Sequence, residues 1–219
     1  MNYLAHGRNS LGDAWLLAGT ALPDWLRMLD RSLRIQGDRA TEVATDADPR
    51  AAALARGVLR HLADDAAFHA APAFLDATRR VADLLRPLEA TLPRLRPSFV
   101  AHIVIEVLLD AEIVRADSRA LDAYYGTLAT LDPADVERIA ARLTPAPPVG
   151  LARLVRGFID ARFVGEYLDD ARVAHRVYQV FRRVGTERLG PELAPVLPAA
   201  RSIVAAAAPG LLGRVGGRS

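Results

Sequence analysis

Apolar positions recur at spacings of three and four along almost the whole chain, and the alternation expected of half-buried strands is nearly absent. The pattern predicts an all-α protein, a multi-helix bundle. A first helix is expected over residues 10–22, stopped by Pro23, with a short helical piece over 24–35. Residues 36–49 are polar, with Gly37 and three aspartates, and read as a loop. A third helix is expected over Pro49–His69, and a fourth from Pro72 to Leu85. Pro93 and Pro97 bracket a turn, after which Ser98 is a candidate N-cap for a helix over 99–115. Asp117 can cap a helix over 118–131. Asp132-Pro133-Ala134-Asp135 is a helix start leading to residue 143. A stiff proline-rich loop (144–150) precedes one or two helices over 151–188. Prolines 191, 195 and 198 then interrupt the chain before an alanine-rich helix that ends near Ala208.

At 219 residues the chain is expected to form a single all-α domain over 1–208. Residues 209–219, with glycines at 210, 213, 216 and 217, read as a flexible tail. No internal repeat is visible. Neither apolar stretch, 99–114 nor 203–212, is expected to span a bilayer, since the first carries four ionisable groups and the second is short. The first residues lack a basic flank and a long apolar run, so a cytoplasmic location is expected.

Two segments break the amphipathic pattern in the same way. In Phe99-Val-Ala-His102-Ile-Val-Ile-Glu106-Val-Leu-Leu-Asp110-Ala-Glu112, almost every other position is apolar, as in a helix buried on all sides. His102, Glu106 and Asp110 fall at i, i+4, i+8 and share one face. In His61-Leu-Ala-Asp64-Asp65-Ala-Ala-Phe68-His69 the same spacing places His61, Asp65 and His69 in a second stripe, among alanines small enough for close packing. A buried carboxylate without a compensating charge costs several kcal/mol. Histidines and carboxylates on facing helices are how bundles build metal sites, here between core helices. Imidazole with carboxylate suits zinc, manganese or iron.

His6, near the start, and Asp24, at the Pro23 break, extend the candidate ligands to seven: His6, Asp24, His61, Asp65, His69, His102 and Glu106. Four of the five histidines are in the set; His175 reads as a surface residue on a charged helix. Each feature has a plainer alternative. A single i, i+4 pair can be a local hydrogen bond, and Asp24 can be an N-cap. Asp64 and Asp110 can pair with arginine instead of orienting the histidines from behind, and Glu112 can be solvated.

Composition removes several chemistries. There is no cysteine, which excludes disulfides, zinc fingers, iron–sulfur clusters and thiol catalysis. All 28 basic residues are arginine, so a lysine Schiff base, a P-loop lysine and a lysine general base are excluded. The net charge of +2 with mixed signs gives no nucleic-acid footprint.

The opening Asn2-Tyr-Leu-Ala-His6, the run from Gly19 to Asp24, Gly57-Val-Leu-Arg-His61-x-x-x-Asp65 and Pro72 resemble the HD-type acyl carrier protein phosphodiesterases. The ordered motifs His61-x-x-x-Asp65 with His69, then His102-x-x-x-Glu106, preceded by Pro23-Asp24, resemble the zinc-dependent phospholipase C and single-strand nuclease group. Both resemblances cover residues 1–115, the expected metal-site half, with 116–208 as supporting helices. The second implies one metal held by Asp24, His61 and Asp65, another by His69, His102 and Glu106, and a contribution of His6 to a third with Asp65 bridging.

What these resemblances imply is a metal-dependent phosphoesterase, most simply a phosphodiesterase, in which a metal-activated water attacks phosphorus in line. His61 and Asp65 would be the catalytic pair, with two or more divalent ions. Asp64 and Asp110 would orient the histidines, and Arg60 or Arg39 would clamp the phosphate. Substrates would be a small phosphodiester, a phospholipid or a phosphopantetheinyl group. The rival expectation is a non-catalytic helical protein whose buried His/carboxylate network is paired with arginines and which acts in protein–protein interaction.

Overall fold

The computed structural model describes residues 3–181 and 189–213. Its regular structure is α-helical with short 3-10 turns, and no strand occurs among the described residues. The all-α expectation holds. The chain divides into two compact units, one of Met1–Ala5, Ala67–Ser118 and Val164–Ser219, the other of His6–Ala66 and Arg119–Phe163. Two helices, α1 (Tyr3–Gly7) and α4 (Pro49–His69), run through the boundaries between them.

The unit built from residues 6–66 and 119–163 contains α2 (Ala14–Leu29), α3 (Gly37–Val43), most of α4, α7 (Arg119–Leu128), α8 (Pro133–Ala140) and α9 (Leu151–Ala161). Asp13 starts α2 by accepting the amides of Trp15 and Leu16. The helix does not stop at Pro23, as the sequence suggests, but continues to Leu29. Proline costs the bond to the carbonyl four residues back. Here Leu22, Trp25 and Leu26, on both sides of Pro23, are fully or almost fully buried, and their packing outweighs that loss. The expected loop over 36–49 contains α3, because Ala40 and Val43 form an apolar pair at helical spacing that buries inward. The Gln36 amide donates to Leu143 O and Arg39 Nη1 donates to Thr144 O, which ties α3 down. Asp132 caps α8 as expected, with Pro133 in its first turn. Trp25 packs edge-on to Phe158, whose ring lies 5.6 Å from that of Tyr125, at the centre of this core.

The other unit is organised around α6 (Pro97–Ala116), buried from Val100 to Val114 at all but a few positions. It packs against α5 (Pro72–Leu85), α10 (Asp170–Phe181) and α12 (Leu197–Leu212). The all-round apolar segment is therefore the buried helix it was expected to be. Its start differs: Pro97 occupies the first turn and Arg96 the cap position, so Ser98 is inside the helix. The helical run expected over 151–188 is α9, a 3-10 segment (Phe163–Leu168) and α10, with 182–188 outside the described residues. Arg162 breaks it by taking a left-handed conformation at φ 46°. Arg201 of α12 is buried and donates to Asp170 and to Tyr167 O, fastening α12 to the start of α10.

Prolines 191, 195 and 198 divide the stretch before the last helix into short elements, as expected. Each sits in the first turn of its element, in α11 (Leu189–Leu193), a 3-10 turn (Ala194–Val196) and α12, where a missing N–H costs nothing. Pro209 likewise lies within α12, which runs to Leu212, while 214–219 are outside the described residues. The resulting stretch Leu189–Leu212 is long and apolar enough to cross a membrane by length and composition. It is also a packing element, since α12 lies against α5 and α6.

Candidate metal centres

Helix α4 carries His61, Asp65 and His69 one turn apart along a single face. Two groups of ligand atoms form around them. His6, His61 and Asp65 offer atoms that all lie within 4.8 Å of one another, and so do His69, His102 and Glu106. Six of the seven candidate ligands are thus gathered, as two threes.

In the first group, His61 is buried and its Nδ1 lies 2.8 Å from the carbonyl oxygen of Thr20 on α2. A carbonyl can only accept, so Nδ1 carries the proton and Nε2 keeps its lone pair. Burial pushes the imidazole pKa down to about 3, so the ring is neutral at ordinary pH. That lone pair faces Asp65 Oδ2 at 3.8 Å. Burial alone would raise the Asp65 carboxyl, but His6 and His61 hold it well below the usual carboxylate range. Asp65 is ionised, and two acceptors point at each other. A cation between them, or a protonated neighbour, compensates such an arrangement.

His6 completes the group. Its ring stacks on that of His61 with centroids 4.0 Å apart. Nε2 is 3.4 Å from Asp65 Oδ1 and Nδ1 is 3.8 Å from Asp64 Oδ2. Both ring nitrogens are buried, yet neither makes a hydrogen bond of proper geometry. Burial opposes charge on this ring, but Asp64 and Asp65 together outweigh it and raise the pKa. A proton on His6 is therefore one way to compensate the carboxylates, and a divalent ion is the other. Two imidazoles and one carboxylate form the donor set of three-ligand sites that keep a further position open. Asp64 behind Nδ1 sits where an orienting carboxylate is found around metal-bound histidine. The residues present fit a divalent ion.

The second group is closed differently. His69 Nε2 and His102 Nε2 lie 3.2 and 3.0 Å from the same oxygen, Glu106 Oε1. The two rings are tilted, 4.6 Å apart, with Phe74 against both. Burial would raise the Glu106 carboxyl, yet the positive charge of the N-terminus, followed by the two histidines, holds it well below its ordinary value. The histidine side chains are each one-third exposed, so the group lies at the edge of the core. Here the imidazoles can satisfy the carboxylate by donating hydrogen bonds, at shorter distances than His6 keeps from Asp65 in the first group.

The remaining expectations separate. Asp24 is half-buried on α2 and stands outside both ligand groups, because the helix break that was to turn it inward does not exist. Asp110, expected to orient a histidine, accepts the backbone amides of Leu4 and Ala5 at 3.1 and 2.8 Å and anchors the first turn of α1. Arg60 lies beside the first group, with Nε 3.7 Å from Asp64 Oδ2 and Nη1 donating to Ser10 Oγ. Arg39 is exposed and engaged with Thr144 O, not with a ligand group. Glu112 pairs with Arg115 on the surface, and His175 meets Gln179 there.

Two contributors escape a sequence reading. Thr20 acts through its main-chain carbonyl, which no residue type announces. Arg8, half-buried, has its guanidinium pKa lowered by burial, with Asp64 raising it and Arg60 lowering it. Its place two residues after His6 is the one signal the sequence offered.

No family model matches the chain, and no curated protein or solved structure matches it either.

Proposed function

We propose that this protein is a metal-dependent phosphoesterase, most simply a phosphodiesterase, with His6, His61 and Asp65 as the ligands of its catalytic ion. The observation that carries this reading is the neutral His61 Nε2 facing the ionised Asp65 carboxylate, beside a buried His6 whose nitrogens lack proper hydrogen bonds. When bound, a divalent ion at these residues supplies a Lewis acid for a phosphoryl oxygen and lowers the pKa of a bound water.

The chain's own residues divide the remaining work. Thr20 O fixes the His61 tautomer, so that Nε2 is always presented as a donor atom. Asp64 orients His6 from its Nδ1 side. Asp65, a quarter exposed, can accept a proton from the attacking water on its solvent side. Arg60, next to Asp64, is placed to offer planar donors to a phosphate. His69, His102 and Glu106 form a second, weaker ion site. The substrate classes expected from the sequence resemblances, a small phosphodiester, a phospholipid or a phosphopantetheinyl ester, stand as proposals of the same kind.

Protein purified without chelator should contain zinc, manganese or iron by elemental analysis. It should also hydrolyse bis(4-nitrophenyl) phosphate once the metal is added back. His61→Ala with Asp65→Ala should lose both metal and turnover. A variant that keeps its helical circular dichroism and full activity would refute the assignment.

The second group favours a structural alternative for itself alone. Its two histidines and Glu106 lie at hydrogen-bonding distance and can act as a partly exposed hydrogen-bonded network without an ion. Metal stoichiometry separates the two.

A further inference from the structure

A cavity of about 510 Å³ opens where the segment between α5 and α6 meets the end of α10. Its apolar wall is Leu95, Phe99, Val100 and Phe181, and its rim carries Arg94 and Arg96. None of the histidine-cluster residues lines it. Phe99 is 49% exposed, although it lies in the first turn of the buried helix α6, and it meets Phe181 edge-on at 5.2 Å. Half-exposing a phenylalanine forgoes burial that an apolar ligand would recover. Among the described residues no acidic side chain lines the cavity, and neither Arg94 nor Arg96 has an ion-pair partner.

We propose that this cavity binds a small amphipathic anion, an alkyl or aryl chain ending in a phosphate or carboxylate. The chain covers Phe99 and Phe181 while the head group takes planar donors from Arg94 and Arg96. Charge complementarity selects the anion: two cations sit over an apolar floor, and no carboxylate among the described residues opposes them. The volume lies within the range of small-molecule sites, roughly 300–1,000 Å³, and the walls are concave, which favours a single molecule over a flat lipid surface. The proposal is independent of the metal reading, because no ligand residue of either cluster takes part.

The test uses the full chain, stripped of metal, with 1-anilinonaphthalene-8-sulfonate as reporter and displacement by octyl phosphate, octanoate, octanol and octylammonium below their micelle concentrations. Both anions should displace the reporter at least about tenfold better than octanol or octylammonium, and the tighter of the two identifies the head group. Arg94→Gln with Arg96→Gln should weaken the anions about tenfold and leave octanol unchanged. Phe99→Ala should weaken all chain-bearing ligands. All three positions are exposed, so the variants should retain the wild-type melting temperature, which is measured alongside. Equal binding of octylammonium, or anion binding unchanged in the arginine variant, would overturn the proposal. So would binding confined to anionic phospholipid vesicles, which would mark the patch as a membrane contact.

Discussion

Gly19 of α2 and Gly57 of α4 meet backbone to backbone. A Cβ on Gly19 would lie 2.1 Å from the carbonyl oxygen of Leu54, and one on Gly57 would lie 2.1 Å from that of Leu16. No side chain fits at either place, so the two helices approach as closely as their main chains allow. The contact sits one residue before Thr20 and one turn before His61, and it sets the 2.8 Å bond between the Thr20 carbonyl and His61 Nδ1. Gly57→Ala must push α2 from α4 and should cost about 2–4 kcal/mol, read as a lower urea midpoint. Metal affinity should fall with it, since the His61 tautomer loses its anchor. An unchanged midpoint would show that the helices have room the structure does not give them.

That contact also marks where the sequence was legible. The helices whose starts are written in side-chain chemistry, Pro49–His69, Pro72–Leu85 and the Asp132-Pro133 start, are found as read. The buried α6 followed from apolar residues on all its faces, and the two stripes of histidine and carboxylate followed from helical spacing alone. Pro23 misled because a proline's cost is local while the burial of Leu22, Trp25 and Leu26 is tertiary. Asp24 was misplaced with it. The role of Asp110 was invisible for another reason: its partners are main-chain amides 105 and 106 residues away. The same holds for Thr20, whose contribution to the site is a carbonyl.

Asp110→Ala removes the acceptor for two buried amides of α1. Leaving buried donors unsatisfied costs about 1–3 kcal/mol, more than loss of an exposed cap. Thermal stability should fall accordingly, and amide exchange at Leu4 and Ala5 should rise toward solvent rates. Exchange at these two positions that stays as slow as in the unmodified chain would mean another acceptor replaces the carboxylate.

The two ligand groups should differ in affinity. In the first, an ion replaces at most a proton on His6 and relieves facing acceptors. In the second, it must displace the contacts of His69 and His102 with Glu106. Titration of stripped protein with zinc should therefore show two classes of site, the tighter abolished by Asp65→Asn and the weaker by Glu106→Gln. Proton release should accompany the first class, because the raised pKa of His6 leaves a proton there to be expelled. A single class lost equally in both variants would contradict the separation.

Stability without metal should depend on His61 in a definite direction. Its folded pKa, about 3, lies below the unfolded value near 6.5, so the native state favours the neutral ring. Above pH 6.5 neither state binds a proton there and the contribution is complete. As pH falls below 6.5 the unfolded chain takes a proton that the folded chain refuses, and stability drops by up to about 1.4 kcal/mol per pH unit until the folded group itself titrates. His6 cannot cancel this slope. Its pKa is raised in the fold, so its stabilisation is complete below pH 6.5 and lost only as pH rises through the folded value. The carboxylates Asp65 and Glu106, held low in the fold, add most of their own loss near and below their ordinary values of 3.8 and 4.5. The window between pH 6.5 and 4.5 thus belongs to His61. Urea midpoints of stripped protein should fall across it, and His61→Asn should flatten the decline while leaving the loss below pH 4 in place. A decline equally steep in the variant would place the responsible proton on another group.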